Sequence, residues 1–199
     1  MRERKILGIA AAAMAFLAAA AGPACAAQAD LDTLLKSVAV KGAQEVPFEE
    51  SRYLSALTAP LVSRGHLRYE PPGRLIKKVE APRRETAIVD KDRLAVLNED
   101  GAETASIDLW HNRDLRLVFD GLRGVLSGDP AALRAIFVTT LEKDGKGWRL
   151  HLVPRGDPGD TRIKGIVVAG IAERIESFEI QESDGDRSII RLLAAPPRS

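Results

Sequence analysis

Hydrophobic and polar residues alternate along most of this chain, a period of two that predicts strands with one buried face. The alternation begins at Val46, and Phe48, Glu50 and Arg52 share one face of this first strand. Further strands are predicted at Leu61 to Tyr69, Leu75 to Glu80, Glu85 to Val89, Arg93 to Asn98, Glu103 to Leu109, Phe137 to Lys143, Trp148 to Pro154, Arg162 to Ala169, Glu173 to Gln181 and Ser188 to Leu193. Short turn sequences separate neighbouring strands, so the order indicates an antiparallel up-and-down meander.

Three segments have the 3.6-residue period of amphipathic helices instead. The longest runs from Leu115 to Leu126, and a short helix follows that Asp129 caps and that extends to about Ala135. Near the N-terminus, Asp30 is predicted to cap a helix that Lys41-Gly42 ends. The longest helix either completes a filled core or forms a lid over a cavity, and periodicity leaves both possibilities open. The fold class predicted by these elements is α+β, mainly β, with a single curved antiparallel sheet.

The first 27 residues have the three-part pattern of a secretory signal peptide. A basic start is followed by an apolar run from Ile6 to Ala21 and by small residues, with cleavage expected after Ala26 or Ala27. A membrane anchor is one alternative, but the run is shorter than the roughly 20 apolar residues that a spanning helix needs. Lipidation of Cys25 is another, although a Gly stands where such a motif usually has Leu. We expect a mature chain of residues 28–199 that forms one domain and contains no cysteine.

The charge balance excludes one class of partner. The formal net charge is +1, and removal of Arg2, Glu3, Arg4 and Lys5 with the signal peptide leaves about −1. A nearly neutral chain with interleaved charges lacks the basic surface that nucleic-acid binding requires. We therefore expect no nucleic-acid partner.

The sequence offers little chemistry for an enzyme. It has no G-x-S-x-G nucleophile motif and no glycine-rich phosphate loop between a strand and a helix. His66, His111 and His151 lack the short spacing of metal ligands. Glu49 and Glu50 are neighbours in a predicted strand and point to opposite faces, so they cannot act together as an acid–base pair. We predict neither catalysis, nor a metal site, nor a cofactor.

Several short motifs resemble those of one protein family. They are Phe48-x-Glu50-x-Arg52, Leu57-x-x-Pro60-Leu61-x-Ser63-x-Gly65-x-Leu67-x-Tyr69-x-x-Pro72, Leu75, Pro82, Trp148-x-Leu150-x-Leu152-x-Pro154 and Glu182-x-x-Gly185-Asp186. In these positions the chain resembles the periplasmic outer-membrane lipoprotein carrier (LolA-like) family, in its divergent carrier-like branch. The resemblance covers nearly all of the mature chain.

The resemblance implies an incomplete antiparallel β-barrel whose short helices close a hydrophobic cavity for acyl chains. It further implies a periplasmic monomer that carries a lipid or lipoprotein cargo from an inner-membrane exporter to an outer-membrane acceptor. The candidate cavity residues are Phe48, Arg52, Leu67, Tyr69, Leu75, Val96, Leu115, Val118, Phe119, Leu122, Phe137, Leu150 and Leu152. The alternative is a periplasmic lipid- or protein-binding sensor of the same fold, without enzymatic activity.

The chain departs from the family pattern at one place. Where the best-known carriers have an Arg-Pro pair followed by an aromatic-Arg-Trp strand, this chain has Pro71-Pro72 and then Leu75-Ile76-Lys77. Arg52 lies on the same predicted strand face as Phe48, and it is the candidate for a buried guanidinium in the cavity. The departure leaves the identity of the cargo open.

Overall fold

One antiparallel sheet of eleven strands forms most of the protein. The computed structural model describes the backbone of residues 23–194 and the side chains of residues 28–194. The predicted signal peptide, residues 1–27, therefore lies outside the described residues except for the backbone of residues 23–27. The strands are β1 (Gln44–Tyr53), β2 (Leu61–Glu70), β3 (Arg74–Ala81), β4 (Glu85–Asp90), β5 (Arg93–Leu97), β6 (Glu103–Asp108), β7 (Phe137–Asp144), β8 (Gly147–Pro154), β9 (Ile163–Ile171), β10 (Arg174–Glu182) and β11 (Arg187–Leu192).

Three α-helices accompany the sheet: α1 (Pro23–Val38), α2 (Arg113–Ser127) and α3 (Pro130–Ile136). The Asp129 carboxylate accepts a hydrogen bond from the backbone N–H of Ala132 and so caps α3, as the sequence predicts. Gly128 ends α2 with a φ of 68°, in the left-handed region that glycine adopts without strain. Two short 3₁₀ turns, Leu109–His111 and Pro158–Asp160, were not predicted.

The predicted start of the first helix is wrong. The helix begins at Pro23, so Asp30 lies inside it and does not cap it. Residues 24–29 are mostly Ala, which has a strong helix propensity, so the helix already includes the residues that precede Asp30. The Asp30 carboxylate instead lies 3.1 Å from the ammonium of Lys143, on β7.

The sheet consists of two meanders, β1 to β6 and β7 to β11, which are joined where the first strand pairs with the last. The order is β6-β5-β4-β3-β2-β1-β11-β10-β9-β8-β7, and every neighbouring pair is antiparallel. β1 pairs with β11 so that Phe48 lies opposite Leu192 and Glu50 lies opposite Ile190. The helices α2 and α3 connect β6 to β7, the two edge strands, and the sheet does not close. The predicted class, α+β and mainly β with a curved, unclosed antiparallel sheet, is confirmed.

The core lies between the helices and one face of the sheet, which we call the inner face. Phe48, Leu150, Leu152, Val168 and Phe178 project from this face, and each is at most 1% exposed. α2 packs on β9, whereas α1 and α3 pack on β7. The helices therefore cover the β7–β9 side of the inner face more closely than the β3–β6 side. Within the described residues, no helix is both long enough and apolar enough to cross a bilayer.

Candidate functional site

A groove of about 520 Å³ opens on the inner face beside the end of α1. It lies between the segment after α1, the first part of β1, the end of β2 and the start of β10. Its lining residues are Val38, Val40, Gln44, Val46, Leu67, Tyr69, Leu126, Glu173, Arg174, Ile175, Glu176, Phe178, Leu192, Leu193 and Ala194. We refer to this site as the α1–β10 groove.

Apolar side chains form most of the α1–β10 groove, and charged side chains stand at its β10 side. Leu67, Tyr69 and Phe178 are buried in the core at its floor. Arg174 is exposed and Glu176 is half-buried, and the guanidinium Nη2 of Arg174 donates to Oε1 of Glu176 at 2.7 Å. An apolar floor with a charged side suits an amphiphile, because the tail is removed from water while the polar end stays solvated.

Two backbone hydrogen bonds fix the walls of the groove. The N–H of Val40 donates to the carbonyl oxygen of Leu126 at 2.8 Å, which ties the segment after α1 to the end of α2. The N–H of Leu193 donates to the carbonyl oxygen of Pro47 at 2.8 Å and continues the pairing beyond the end of β11. The groove is thus bounded by backbone that is itself hydrogen-bonded.

A charged pair lies on the inner face next to the groove. Glu50 of β1 is only 7% exposed, and Lys77 of β3 places its ammonium 2.5 Å from the Glu50 Oε2. Two hydroxyls also donate to this carboxylate, Ser188 to Oε1 at 2.6 Å and Ser63 to Oε2 at 3.2 Å. The ammonium of Lys77 lies 5.4 Å from the centre of the Phe48 ring, within the range of a cation–π contact. We refer to these four polar residues as the Glu50 cluster.

The surroundings of Glu50 decide its ionisation. Burial by itself would raise the pKa of the Glu50 carboxyl, since it penalises the charged form. The charge of Lys77 and the hydrogen bonds from Lys77, Ser188 and Ser63 outweigh burial, so the pKa lies below its ordinary value. Glu50 is therefore ionised at neutral pH and forms a true ion pair with Lys77.

Arg123 of α2 forms hydrogen bonds with two turns on the β2–β5 side of the sheet. Arg123 donates from Nε to the carbonyl oxygen of Gly73 at 2.9 Å, and from Nη2 to the carbonyl oxygen of Lys91. These carbonyls belong to the β2–β3 turn and the β4–β5 turn. Tyr69 lies in the same region and donates to the carbonyl oxygen of Pro72 at 3.1 Å. Burial raises the pKa of the Tyr69 hydroxyl, and the nearby charge of Arg123 opposes that rise.

Comparison with known proteins identifies the family. Residues 21–197 match the model of the family described as outer membrane lipoprotein carrier protein LolA-like. The chain belongs to this family. Membership supports a carrier-type module that binds a lipid or lipoprotein. No curated protein sequence matches this LolA-like chain.

The solved structures to which the LolA-like chain is similar share little sequence with it. A LolA superfamily protein from Nitrosomonas europaea is 10% identical, with 87% of this chain and 94% of that chain covered and a TM-score of 0.46. A DUF1329 family protein from Desulfovibrio piger is 9% identical, with 84% and 90% covered and a TM-score of 0.44. A chain in the complex of MucA and MucB from Pseudomonas aeruginosa is 13% identical, with 87% of this chain and 59% of that chain covered and a TM-score of 0.42.

The structure places the predicted cavity residues of this LolA-like chain in several environments. Leu67 and Tyr69 line the α1–β10 groove. The fully packed core contains Phe48, Leu75, Leu122, Phe137, Leu150 and Leu152. Half-buried positions are taken by Val96, Leu115, Val118 and Phe119. The C-terminal part of α2 thus completes the core, while its N-terminal part carries an apolar stripe that is only half-buried.

The prediction of a buried guanidinium at Arg52 is wrong. Arg52 shares the strand face of Glu50, but it lies near the end of β1 and is exposed. Lys77 supplies the positive charge on the inner face instead. Lys77 alternates with Leu75 and Val79 in the sequence, and this inward position was a signal that could have identified it.

Other groove residues were also missed by sequence reasoning. Val38 belongs to the apolar stripe of the first helix, and Ile175 and Leu192 belong to the last two strands. Nothing local distinguishes them from ordinary core positions. They meet at the groove only because β11 pairs with β1, which brings the two ends of the chain together.

Proposed function

We propose that this chain is a periplasmic carrier that holds an acyl chain of a lipid or lipidated cargo in the α1–β10 groove. The observation that carries the proposal is an apolar groove of about 520 Å³, bordered by charged residues, in a protein of the LolA-like family. The carrier takes its cargo from inner-membrane machinery and passes it to an outer-membrane acceptor. The predicted signal peptide, residues 1–27, provides the route across the inner membrane.

The size of the groove agrees with this role. Ligand-binding clefts usually enclose about 300–1,000 Å³. Burial of an acyl chain contributes about 0.8 kcal/mol per methylene, so about ten methylenes approach ~8 kcal/mol, or roughly micromolar binding before ordering costs. Such binding is strong enough to keep a lipid out of water and weak enough to allow transfer.

The composition of the groove also favours release of the cargo. Val40, Val46, Ile175 and Leu192 are half-buried lining residues, and none of them is a polar anchor. Apolar contacts are non-directional, so a tail can slide out in steps without breaking a set of specific hydrogen bonds. A membrane or an acceptor protein can then receive it.

A groove-filling substitution tests the proposal. Wild type, Val46→Trp and Val62→Trp are purified from a periplasm, and native mass spectrometry with lipid extraction measures the bound lipid. Val46 lines the groove, whereas Val62 is 42% exposed on the outer face of β2 and serves as the matched control. We expect bound lipid on wild type and Val62→Trp, and its loss from Val46→Trp.

The opposite results are equally clear. A wild-type protein that carries no lipid and takes up no added acyl probe contradicts the proposal. If Val46→Trp retains as much lipid as wild type, the acyl chain lies elsewhere and the groove is not the site.

A further inference from the structure

The Glu50 cluster places an ion pair where apolar residues would pack. Phe48 lies next to Glu50 on the same strand face, and Leu75 and Val79 flank Lys77 on its own strand face. Removing two charges from water costs several kcal/mol per ion, and apolar replacements of buried pairs are often neutral or stabilising. Stability alone is thus a weak explanation for this pair.

Lys77 retains hydrogen-bonding capacity that the protein does not use. An ammonium group has three N–H donors. Among residues 28–194, the Lys77 ammonium donates only to Glu50. Its side chain is 28% exposed, against 9% for that of Glu50, so Lys77 is the more accessible partner of the pair.

Lys77 does not line the α1–β10 groove, but its position on β3 is adjacent to the groove wall. Lys77 lies directly opposite Leu67 on β2, and Leu67 in turn lies opposite Val46 on β1. Both Leu67 and Val46 line the α1–β10 groove. Directly opposite residues in an antiparallel sheet have Cβ atoms about 4.5–5.5 Å apart. Lys77 is therefore the next inner-face residue beyond the groove wall in this row.

The row continues past Lys77 with apolar residues. Ala87 lies opposite Lys77, and Val96 lies opposite Ala87. Both are half-buried, as is Val79, the next inner-face residue of β3. A ligand atom at Lys77 thus has apolar surface on both sides, toward the groove and toward β5, and a polar anchor between them.

The charge balance of the cluster restricts the type of ligand. Glu50 already neutralises Lys77. An anionic head group would therefore be attracted by Lys77 and repelled by Glu50. An uncharged acceptor oxygen meets no such repulsion, and hydrogen bonds to charged donors are stronger than those between neutral groups. We propose that Lys77 binds the carbonyl oxygen of an ester- or amide-linked acyl chain whose tail occupies the α1–β10 groove. The inference rests on the proposed lipid-binding function and extends it by assigning Lys77 as the residue that binds the acyl carbonyl.

A matched pair of amphiphiles tests this inference. 1-Monolauroylglycerol and 1-O-dodecylglycerol share a head group and nearly the same tail, and only the first has the carbonyl oxygen. Their affinities for the delipidated protein are measured by isothermal titration calorimetry, together with that of laurate, which has an anionic head. We expect wild type to bind the ester about tenfold more tightly than the ether, and to bind laurate no more tightly than the ester.

Two variants test whether Lys77 is responsible for the preference for the ester. Lys77→Met alone leaves a buried, unpaired carboxylate, so it is combined with Glu50→Gln, which keeps an acceptor for Ser63 and Ser188. In this double variant the ester and the ether should bind with affinities within about twofold. Lys78→Met is the control, because Lys78 follows Lys77 on β3, faces outward and is 62% exposed. We expect it to retain the tenfold preference.

The results distinguish a failure of this inference from a failure of the proposed function. Equal binding of ester and ether by wild type overturns the role of Lys77 and leaves the groove intact. Tighter binding of laurate than of ester overturns the assignment of a neutral carbonyl. If the tenfold preference for the ester persists in the double variant, another residue is responsible for that preference. Failure of wild type to bind either glycerol amphiphile overturns the proposed function and this inference with it.

Discussion

Arg123 of α2 and Gly73 of the β2–β3 turn are joined by a hydrogen bond of 2.9 Å from the guanidinium Nε to the carbonyl oxygen. The same guanidinium reaches the carbonyl oxygen of Lys91 in the β4–β5 turn. The helix is thus fastened to a side of the sheet on which it does not otherwise pack closely. The N-terminal part of α2 carries the half-buried Leu115 and Phe119.

Replacement of Arg123 by alanine should loosen α2. Loss of two hydrogen bonds from a charged donor is expected to lower the free energy of unfolding by about 1–3 kcal/mol and to speed amide hydrogen exchange in α2. Release of a bound acyl probe should be faster as well. Urea denaturation, hydrogen exchange and stopped-flow displacement measure the three effects. Arg116→Ala is the control, because among residues 28–194 the charged group of Arg116 interacts with Asp120 and the exposed Trp110 and with neither turn. Equal effects of the two substitutions would mean that the contacts to the turns do not matter.

The Glu50 cluster should make stability depend on pH in the acid range. The native pKa of Glu50 is lowered, so its contribution is present above the unfolded-state pKa of about 4.3 and is lost as pH falls through the native value. At pH 7 we expect Glu50→Gln to be less stable than wild type by about 2 kcal/mol. Below about pH 4 the difference should shrink. Urea midpoints from pH 7 to pH 3 measure it, and a difference that stays constant over this range contradicts the ion pair.

Acyl-chain length should control affinity until the groove is full. Each methylene contributes about 0.8 kcal/mol, so affinity should rise by about fourfold per added methylene in a series of monoacylglycerols. Once the tail exceeds the length of the groove, further methylenes stay in water and the affinity should level off. Calorimetry on tails of increasing length gives the position of the plateau. A flat dependence from the shortest tail onward would be incompatible with burial in the α1–β10 groove.

Gly124 of α2 should not tolerate a side chain. A Cβ added there would lie 2.6 Å from two carbons of Leu133, which is fully buried in α3. Alanine usually stabilises a helix by about 1 kcal/mol relative to glycine, but overpacking costs about 1–3 kcal/mol. We expect Gly124→Ala to be less stable than wild type in urea. Gly42→Ala, which has no atom within 4 Å of the added Cβ, should change stability by less than about 0.5 kcal/mol. A stabilised Gly124→Ala would show that α2 and α3 can move apart.

The strands were predictable because each carries a local signal. Alternation of apolar and polar residues, with a turn sequence between runs, predicted every strand of the described sheet, and the Asp129 cap and Gly128 predicted the junction of α2 and α3. The pairing of β1 with β11 has no such signal. It joins residues more than 130 positions apart, and only the completed sheet determines it.

The site was predictable only in part. Leu67 and Tyr69 were cavity candidates implied by the family resemblance, and both line the groove, but the other wall of the groove comes from the end of α1 and from β10. Glu50 and Lys77 both occupy inward positions in the sequence pattern. Their pairing depends on how β2 and β3 are aligned, and that alignment shifts at the bulge beside Gly65. A register shift of this kind is set by tertiary structure and is not visible in periodicity.

The single long-range pairing in the sheet also has a consequence for how the chain assembles. Every strand contact other than β1 with β11 joins consecutive strands, so each forms by closing a short loop and brings little loss of chain entropy. Each half of the sheet can therefore form as a local unit. The α1–β10 groove has walls from both halves and is completed only when the last strand docks on the first. A chain whose last strand has not yet paired with the first therefore has no finished groove in which to hold a lipid.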